Sequence, residues 1–299
     1  MSEVITDTHG IALPSRYVVR RLDSSVRDWV IAMGIEGFML RDASLWKPLL
    51  PFPKTANALR GLEKMAGHYQ HSISSGFSFG IFDTQYVFSR PESAAARRML
   101  HWRANDGLDP GRPEFETYGA DQMRDAMDFP LVCIALAFDA FAARDPRATR
   151  DMLDLIPLQQ QLGAFLGSVS ENHGTQKGKG NAPGMEPTDF GQVLIRSGCV
   201  TRVGYERQGL ATALNRFVML EAKAWGFRGI KVGMGSESML RGYMNPPEGC
   251  RSEVVAQWDF EDIEMEDEDG NIVRPYVGSG MKEGWEVWCD LLAEGSSEV

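Results

Sequence analysis

Cysteine is scarce: there are four in 299 residues, Cys133, Cys199, Cys250 and Cys289, with no close pair along the chain. That spacing excludes a disulfide framework and a zinc–thiolate cluster and makes reduced thiols the expected state. Positive charge is also in deficit. Thirty-one lysines and arginines stand against forty-one acids, a formal net charge of −10. This is the wrong sign for a protein held mainly by nucleic-acid phosphates or by an anionic membrane. Long apolar runs are missing too. The longest outside loops, Phe129–Phe138, is about half the ~20 residues that span a bilayer. Met1–Gly10 carries Glu3 and Asp7 and lacks a basic patch followed by an apolar stretch, so no secretory signal is expected and the expected compartment is cytoplasmic. Neither the P-loop nor the dinucleotide-binding glycine fingerprint occurs, and no internal repeat is present.

What remains is an ordinary globular composition, 43% hydrophobic and 24% charged, in a chain long enough for one enlarged domain or two small ones at ~150 residues each. Tyr17–Leu22 reads as a strand, followed by a helix start at Asp23-Ser24-Ser25. Lys54–Ala66 has helical composition. Phe77–Phe88 is rich in aromatic and β-branched residues around Asp83-Thr84-Gln85 and predicts a hairpin. Glu92–Trp102 and a stretch around Asp121–Met127 read as helices, and Leu131–Phe138, apolar throughout, as a central strand covered on both faces. Asp151–Leu166 reads as a helix despite Pro157. Residues 167–189 mix Gly, Asn, Ser, Lys and Pro without periodicity and are expected to form a flexible loop.

The last third carries most of the information. Gln192–Val203 reads as a strand. Gln208–Trp225 places Leu210, Leu214, Phe217, Val218, Ala222 and Trp225 on one face at helical spacing and is ended by Gly226. Ile230–Met234 follows as a second strand, completing a strand–helix–strand rhythm. Between the first strand and the helix lies Val203-Gly204-Tyr205-Glu206-Arg207-Gln208-Gly209-Leu210-Ala211-Thr212. A helix opening here presents unpaired N–H groups and a partial positive charge, and Gly209 and Ala211 are small enough to let a phosphate approach them. Arg207 adds a full charge.

With this segment and its context, the sequence resembles the GNAT superfamily of acetyl-CoA-dependent N-acetyltransferases, whose pyrophosphate loop reads Arg/Gln-x-x-Gly-x-Gly/Ala. Gly209 and Ala211 fit, and Glu206 stands where Arg or Gln is usual. A carboxylate there repels a diphosphate unless it points away. The resemblance implies one enlarged α/β (α+β) domain over residues 1–299, a mixed, mostly antiparallel sheet flanked by helices with large insertions. Its best-matching acyl-CoA-binding core is 192–257. It implies acetyl-CoA as co-substrate, with the backbone amides of Arg207, Gln208, Gly209, Leu210, Ala211 and Thr212 on the pyrophosphate and the backbone around Val203 on the pantetheine arm. A backbone N–H near Cys199 would stabilise the oxyanion, Cys199 itself being read as a small buried residue. Ser236, Met239 and Tyr243 match the superfamily's Asn-x-x-Ala-x-x-x-Tyr helix in spacing and in the tyrosine. Tyr243 is thereby the candidate general acid for a departing thiolate. The partner implied is a small-molecule amine.

The segments Arg90-Pro91-Glu92-Ser93-Ala94-Ala95, Met127-Asp128-Phe129-Pro130-Leu131-Val132, Gly226-Phe227-Arg228-Gly229-Ile230, Asn245-Pro246-Pro247 and Glu266-Asp267-Glu268-Asp269-Gly270-Asn271 are further similar to fungal GNAT-like proteins of natural-product pathways. That likeness implies a secondary metabolite as acceptor, and it leaves open a metabolite-binding or tailoring protein without CoA. A third reading is a serine hydrolase. Gly76-Phe77-Ser78-Phe79-Gly80 matches the nucleophile-elbow pattern, with His101 and His173 downstream, although strand-like residues follow where an elbow needs a helix. His68 and His71 are expected at the surface or in local hydrogen bonds. No general base is named. Glu237 and Glu253 read as surface charges, and the seven acids in Glu261–Asp269 as a solvated hairpin ahead of Ile272-Val273.

Overall fold

The computed structural model describes residues 4–41, 44–51, 54–97, 99–102, 114–176 and 185–292. A seven-stranded sheet runs through the molecule, built from β1 (Tyr17–Arg21), β2 (Phe79–Asp83), β3 (Leu131–Asp139), β4 (Val193–Thr201), β5 (Gly229–Met234), β6 (Arg251–Asp259) and β7 (Glu283–Asp290). The strand order is β1-β2-β3-β4-β5-β7-β6. All neighbours are antiparallel except β4 and β5, which are parallel and joined by a helix crossover. This is the mixed, mostly antiparallel sheet expected from the sequence.

Helices cover both faces. One face carries α1 (Arg27–Ile35), α2 (Lys54–Lys64), α3 (Ala66–Ser74), α4 (Pro91–Ala96), α5 (Glu114–Asp125), α6 (Pro146–Leu155) and α7 (Gln159–Gln176); the other is packed by α8 (Leu210–Ala224), beside which lies α9 (Glu237–Tyr243). The alternation in β3 shows why both layers are needed. Ile134 and Leu136 join the core under α1 and α3, while Cys133, Ala135 and Ala137 join the core under α8. Every residue of β3 is buried, as a strand covered on both sides requires.

Helix α8 buries the stripe read from its spacing, Leu210, Leu214, Phe217, Val218 and Ala222. It ends on Gly226 at φ +88°. The Gly226 N–H donates to Lys223 O and the Phe227 N–H to Ala222 O, both at 3.0 Å, the paired bonds of a left-handed glycine terminus. The acidic hairpin is also present: Met265–Glu266 pairs antiparallel with Ile272–Val273.

The Phe77–Phe88 hairpin does not form. Both edges of β2 are taken, by β1 and β3, and the chain beyond Thr84 is drawn away to a buried carboxylate. Asp128 accepts from Tyr86 Oη and from the Ser89 and Arg90 N–H groups at 3.0–3.1 Å. Glu92–Trp102 is helical only to Ala96 and then pairs Met99–Leu100 with Met127–Asp128, and the helix placed around Asp121–Met127 is α5, ending at Asp125. Pro157 divides Asp151–Leu166 into the end of α6 and the start of α7, since proline offers no N–H to continue a helix. The loop placed over 167–189 is helical to Gln176, and 177–184 lie outside the described residues. Among the described residues, no helix is long and apolar enough to cross a membrane.

Candidate active site

The site begins with one surplus residue. Leu136 pairs with Gly198 and Ala137 with Arg196, so Ser197 is a β-bulge in β4, a device that bends a strand and increases its twist. The parallel ladder from Val193–Gly229 ends at Arg196–Val232. Beyond it, β4 stays bonded to β3 and β5 to β7, but not to each other. The sheet opens between them.

The segment leaving β4 builds the rim of that opening. Arg207 has φ +60° and Gly209 φ +76°; an L side chain in this region costs roughly 1–2 kcal/mol, which only glycine escapes. Gly209 is the N-cap of α8 and can offer no side-chain acceptor, so no side chain caps the helix. A Cβ built at Gly209 meets nothing within 4 Å. The first-turn donors of α8 therefore open onto a cavity of about 580 Å³ lined also by Cys199, Asn215 and Ser236.

Glu206 is at the rim, held by Arg41. Arg41 Nη1 donates to Glu206 Oε1 and Nη2 to Glu36 Oε2, both at 2.8 Å, and Nη2 also reaches Thr201 O at 2.6 Å. Burial opposes the charge of this guanidinium, but the two carboxylates outweigh it and raise its pKa. The Glu206 carboxylate is thus paired at the spot where repulsion was expected.

Of the residues read from sequence, Arg207, Gly209, Leu210, Ala211 and Thr212 are brought together on this cavity. Gln208 is turned aside, its Oε1 accepting from Tyr17 Oη at 2.7 Å. Val203 lies past the end of β4, 46% exposed, on a neighbouring hollow. Tyr243 is 1% exposed and forms no part of the wall. Its hydroxyl accepts from Arg196 Nε at 3.1 Å and donates to Asn215 Oδ1 at 3.4 Å, and burial pushes its pKa up to about 12. Asn215, which joins the cavity wall to this buried group, had a readable sign in the sequence: an amide inside an apolar helical stripe. Arg196, a charge inside a strand, was a second such sign. Cys199 is half-buried in the wall, and hydrogen bonding from Cys133, aided by Arg196 against the effect of burial, holds its thiol below the usual range.

A second cavity, about 640 Å³, lies across the sheet under α3, α6 and α7. Ser197 and Gly235 line it, while their near neighbours Cys199 and Ser236 line the first. The two hollows thus flank the gap between β4 and β5. His68 and His71, expected at the surface or in local hydrogen bonds, are part-buried and form part of this second wall.

Ser78 is no nucleophile. It is completely buried, its Oγ donating to Ser72 O at 2.7 Å and accepting from the Ala137 N–H at 3.1 Å. It opens a strand, and His101 is engaged with Ser93. The hydrolase reading is overturned.

No protein-family profile matches the sequence, and no curated protein matches it. Among solved structures, the C-terminal condensation domain of Ebony, in complex with β-alanyl-dopamine, superposes with a TM-score of 0.54 at 15% identity, over 91% of this chain and 97% of that one. The fold is GNAT-like. Arylalkylamine N-acetyltransferase 2 from Aedes aegypti has a TM-score of 0.49 at 13% identity, covering 93% of this chain and all of its own. The Drosophila melanogaster polyamine N-acetyltransferase has 0.45 at 12%, covering 91% and 98%. At such identities the likeness speaks for the fold alone.

Proposed function

We propose that this protein transfers an acyl group, acetyl in the first instance, from acyl-CoA to the amine of a small molecule, with a secondary metabolite as the acceptor. The carrying observation is the uncapped start of α8, open at Gly209 onto a cavity that meets the gap between β4 and β5. The amides of Gly209 to Thr212 and the charge of Arg207 would hold a diphosphate, and Arg41 keeps Glu206 from repelling it. The freed edge of β4 beyond Ser197 would pair with an extended ligand arm.

The co-substrate supplies an activated thioester. The cavity on the opposite face holds the acceptor so that its amine approaches through the gap. One N–C bond forms, one C–S bond breaks, and the amine's proton ends on the departing thiol. Tyr243, the proposed proton source, would act from behind the wall formed by Asn215. The neighbouring condensation domain was solved with an aromatic amide, which suits an amide-forming reading.

Thermal stability measured against acetyl-CoA and dephospho-CoA tests the proposal, because a ligand bound only by the folded state raises the melting temperature. The expected result is a saturable increase with acetyl-CoA, lost in Gly209→Val. No increase at high concentration rejects CoA use and leaves the metabolite-binding reading.

A further inference from the structure

The second cavity carries information about what it accepts. Its wall is aromatic, with Trp46, Phe138 and Trp258. Three of its residues carry a buried polar atom with no partner: His71 Nε2, Trp258 Nε1 and Gln159 Oε1. Buried polar groups are normally paired, and three exceptions in one wall point to a ligand that completes them.

Arg144, an exposed residue of the wall, places its guanidinium 4.7 Å from the centre of the Phe138 ring. Among the described residues it has no ion pair and no hydrogen bond. Arg196 also borders this cavity, but its guanidinium is turned to the α8 face, engaged by Leu136 O, Asn215 and Tyr243. The one carboxylate of the wall, Asp145, accepts from the Arg147 N–H at 2.9 Å as the cap of α6. His68 and His71 are held neutral at pH 7, first by burial and then by the charge of Arg144. A simple ammonium ion would meet Asp145 and Arg144 together, one charge of each sign, and gain no net attraction. An anionic group would find a free guanidinium over an aromatic floor, where bidentate pairing is available.

We propose that the acceptor is an aromatic amine that also carries a carboxylate, its ring among Trp46, Phe138 and Trp258 and its carboxylate against Arg144. This rests on reading the second cavity as the acceptor site. It sets the chain apart from an enzyme for arylalkylamines or polyamines, whose charge is wholly positive.

The test uses matched pairs that differ in the carboxylate: tryptophan and tryptamine, tyrosine and tyramine, phenylalanine and phenethylamine, indole-3-acetate and indole-3-acetamide. Calorimetric titration of the full chain without acyl-CoA should give at least tenfold tighter binding for the carboxylate member of one or more pairs. Arg144→Gln should erase that preference while leaving the acetyl-CoA thermal shift intact. If no pair shows the preference, or if it survives in Arg144→Gln, the proposal is wrong. Because the titration needs no acyl transfer, a carboxylate preference alongside absent acetyl-CoA binding would reject the transferase reading and keep only the second cavity as a site for an aromatic carboxylate.

Discussion

The cavity beneath α8 takes most of its wall from one contiguous stretch, Cys199 to Asn215, with the first turns of α9. The cavity on the opposite face is assembled from positions as far apart as Trp46, His71, Arg144, Gln159 and Trp258. One side is thus a local motif of strand, turn and helix, held by backbone geometry. The other is a product of tertiary packing, and its chemistry is set by side chains. A local motif can be kept while the distant wall changes, which is how one fold can serve many acceptors.

The sharpest break in that comparison should come from Gly209→Val. A branched side chain in a left-handed conformation, filling the open space before α8, should weaken acetyl-CoA binding at least a hundredfold, about 2.8 kcal/mol at ~1.4 kcal/mol per decade. Binding in the opposite cavity should stay unchanged in calorimetry. Loss of both would show that the two sides are one cooperative unit.

Glu36→Ala should cost about 2–3 kcal/mol in urea denaturation, because it strips Arg41 and Arg124 of a wholly buried carboxylate. It should also loosen Glu206 and weaken acetyl-CoA, leaving the acceptor side alone. A stability change under 0.5 kcal/mol would remove Arg41 as the anchor of the rim.

The opposite face has its own signature in pH. Burial and Arg144 lower the His68 pKa to about 4, against ~6.5 in the unfolded chain. Between these values the unfolded state binds the proton and the folded state does not, so stability is full above pH 6.5 and is lost as pH falls toward 4. The loss attributable to His68 should be about 2 kcal/mol, read as the difference in urea midpoints between the protein and His68→Gln at pH 7 and pH 4.5. Parallel pH curves would place His68 in water rather than in the wall. The smallest effect is expected from Tyr243→Phe: about 1 kcal/mol of stability from its two hydrogen bonds, acetyl-CoA binding within twofold, and slower turnover. Equal turnover would exclude Tyr243 from proton transfer.

The same contrast explains what could be read from residues alone. Helix α8 was legible because its apolar stripe repeats at helical spacing and Gly226 ends it, with β4 and β5 as the apolar segments on either side, whereas α9 was expected from the family resemblance. The small residues at Gly209 and Ala211 marked the cradle for the same reason. Phe77–Phe88 misled because its aromatic alternation carries no record of Asp128, the carboxylate that draws the chain away. Tyr243 kept its spacing, but spacing does not report that Asn215 stands between the phenol and the cavity. The aromatic richness of the chain suited a pocket lining, but the place of that pocket could not be read, since Trp46 and Trp258 come to one wall only once the helices have closed over the sheet.

The bulge at Ser197 implies a strict arithmetic. With that residue deleted, the two-residue rhythm of β4 would run on without interruption, its edge could zip to β5 along the whole length, and the gap that the two hollows flank would be closed by ordinary sheet bonding. One surplus residue decides whether the two strands stay apart.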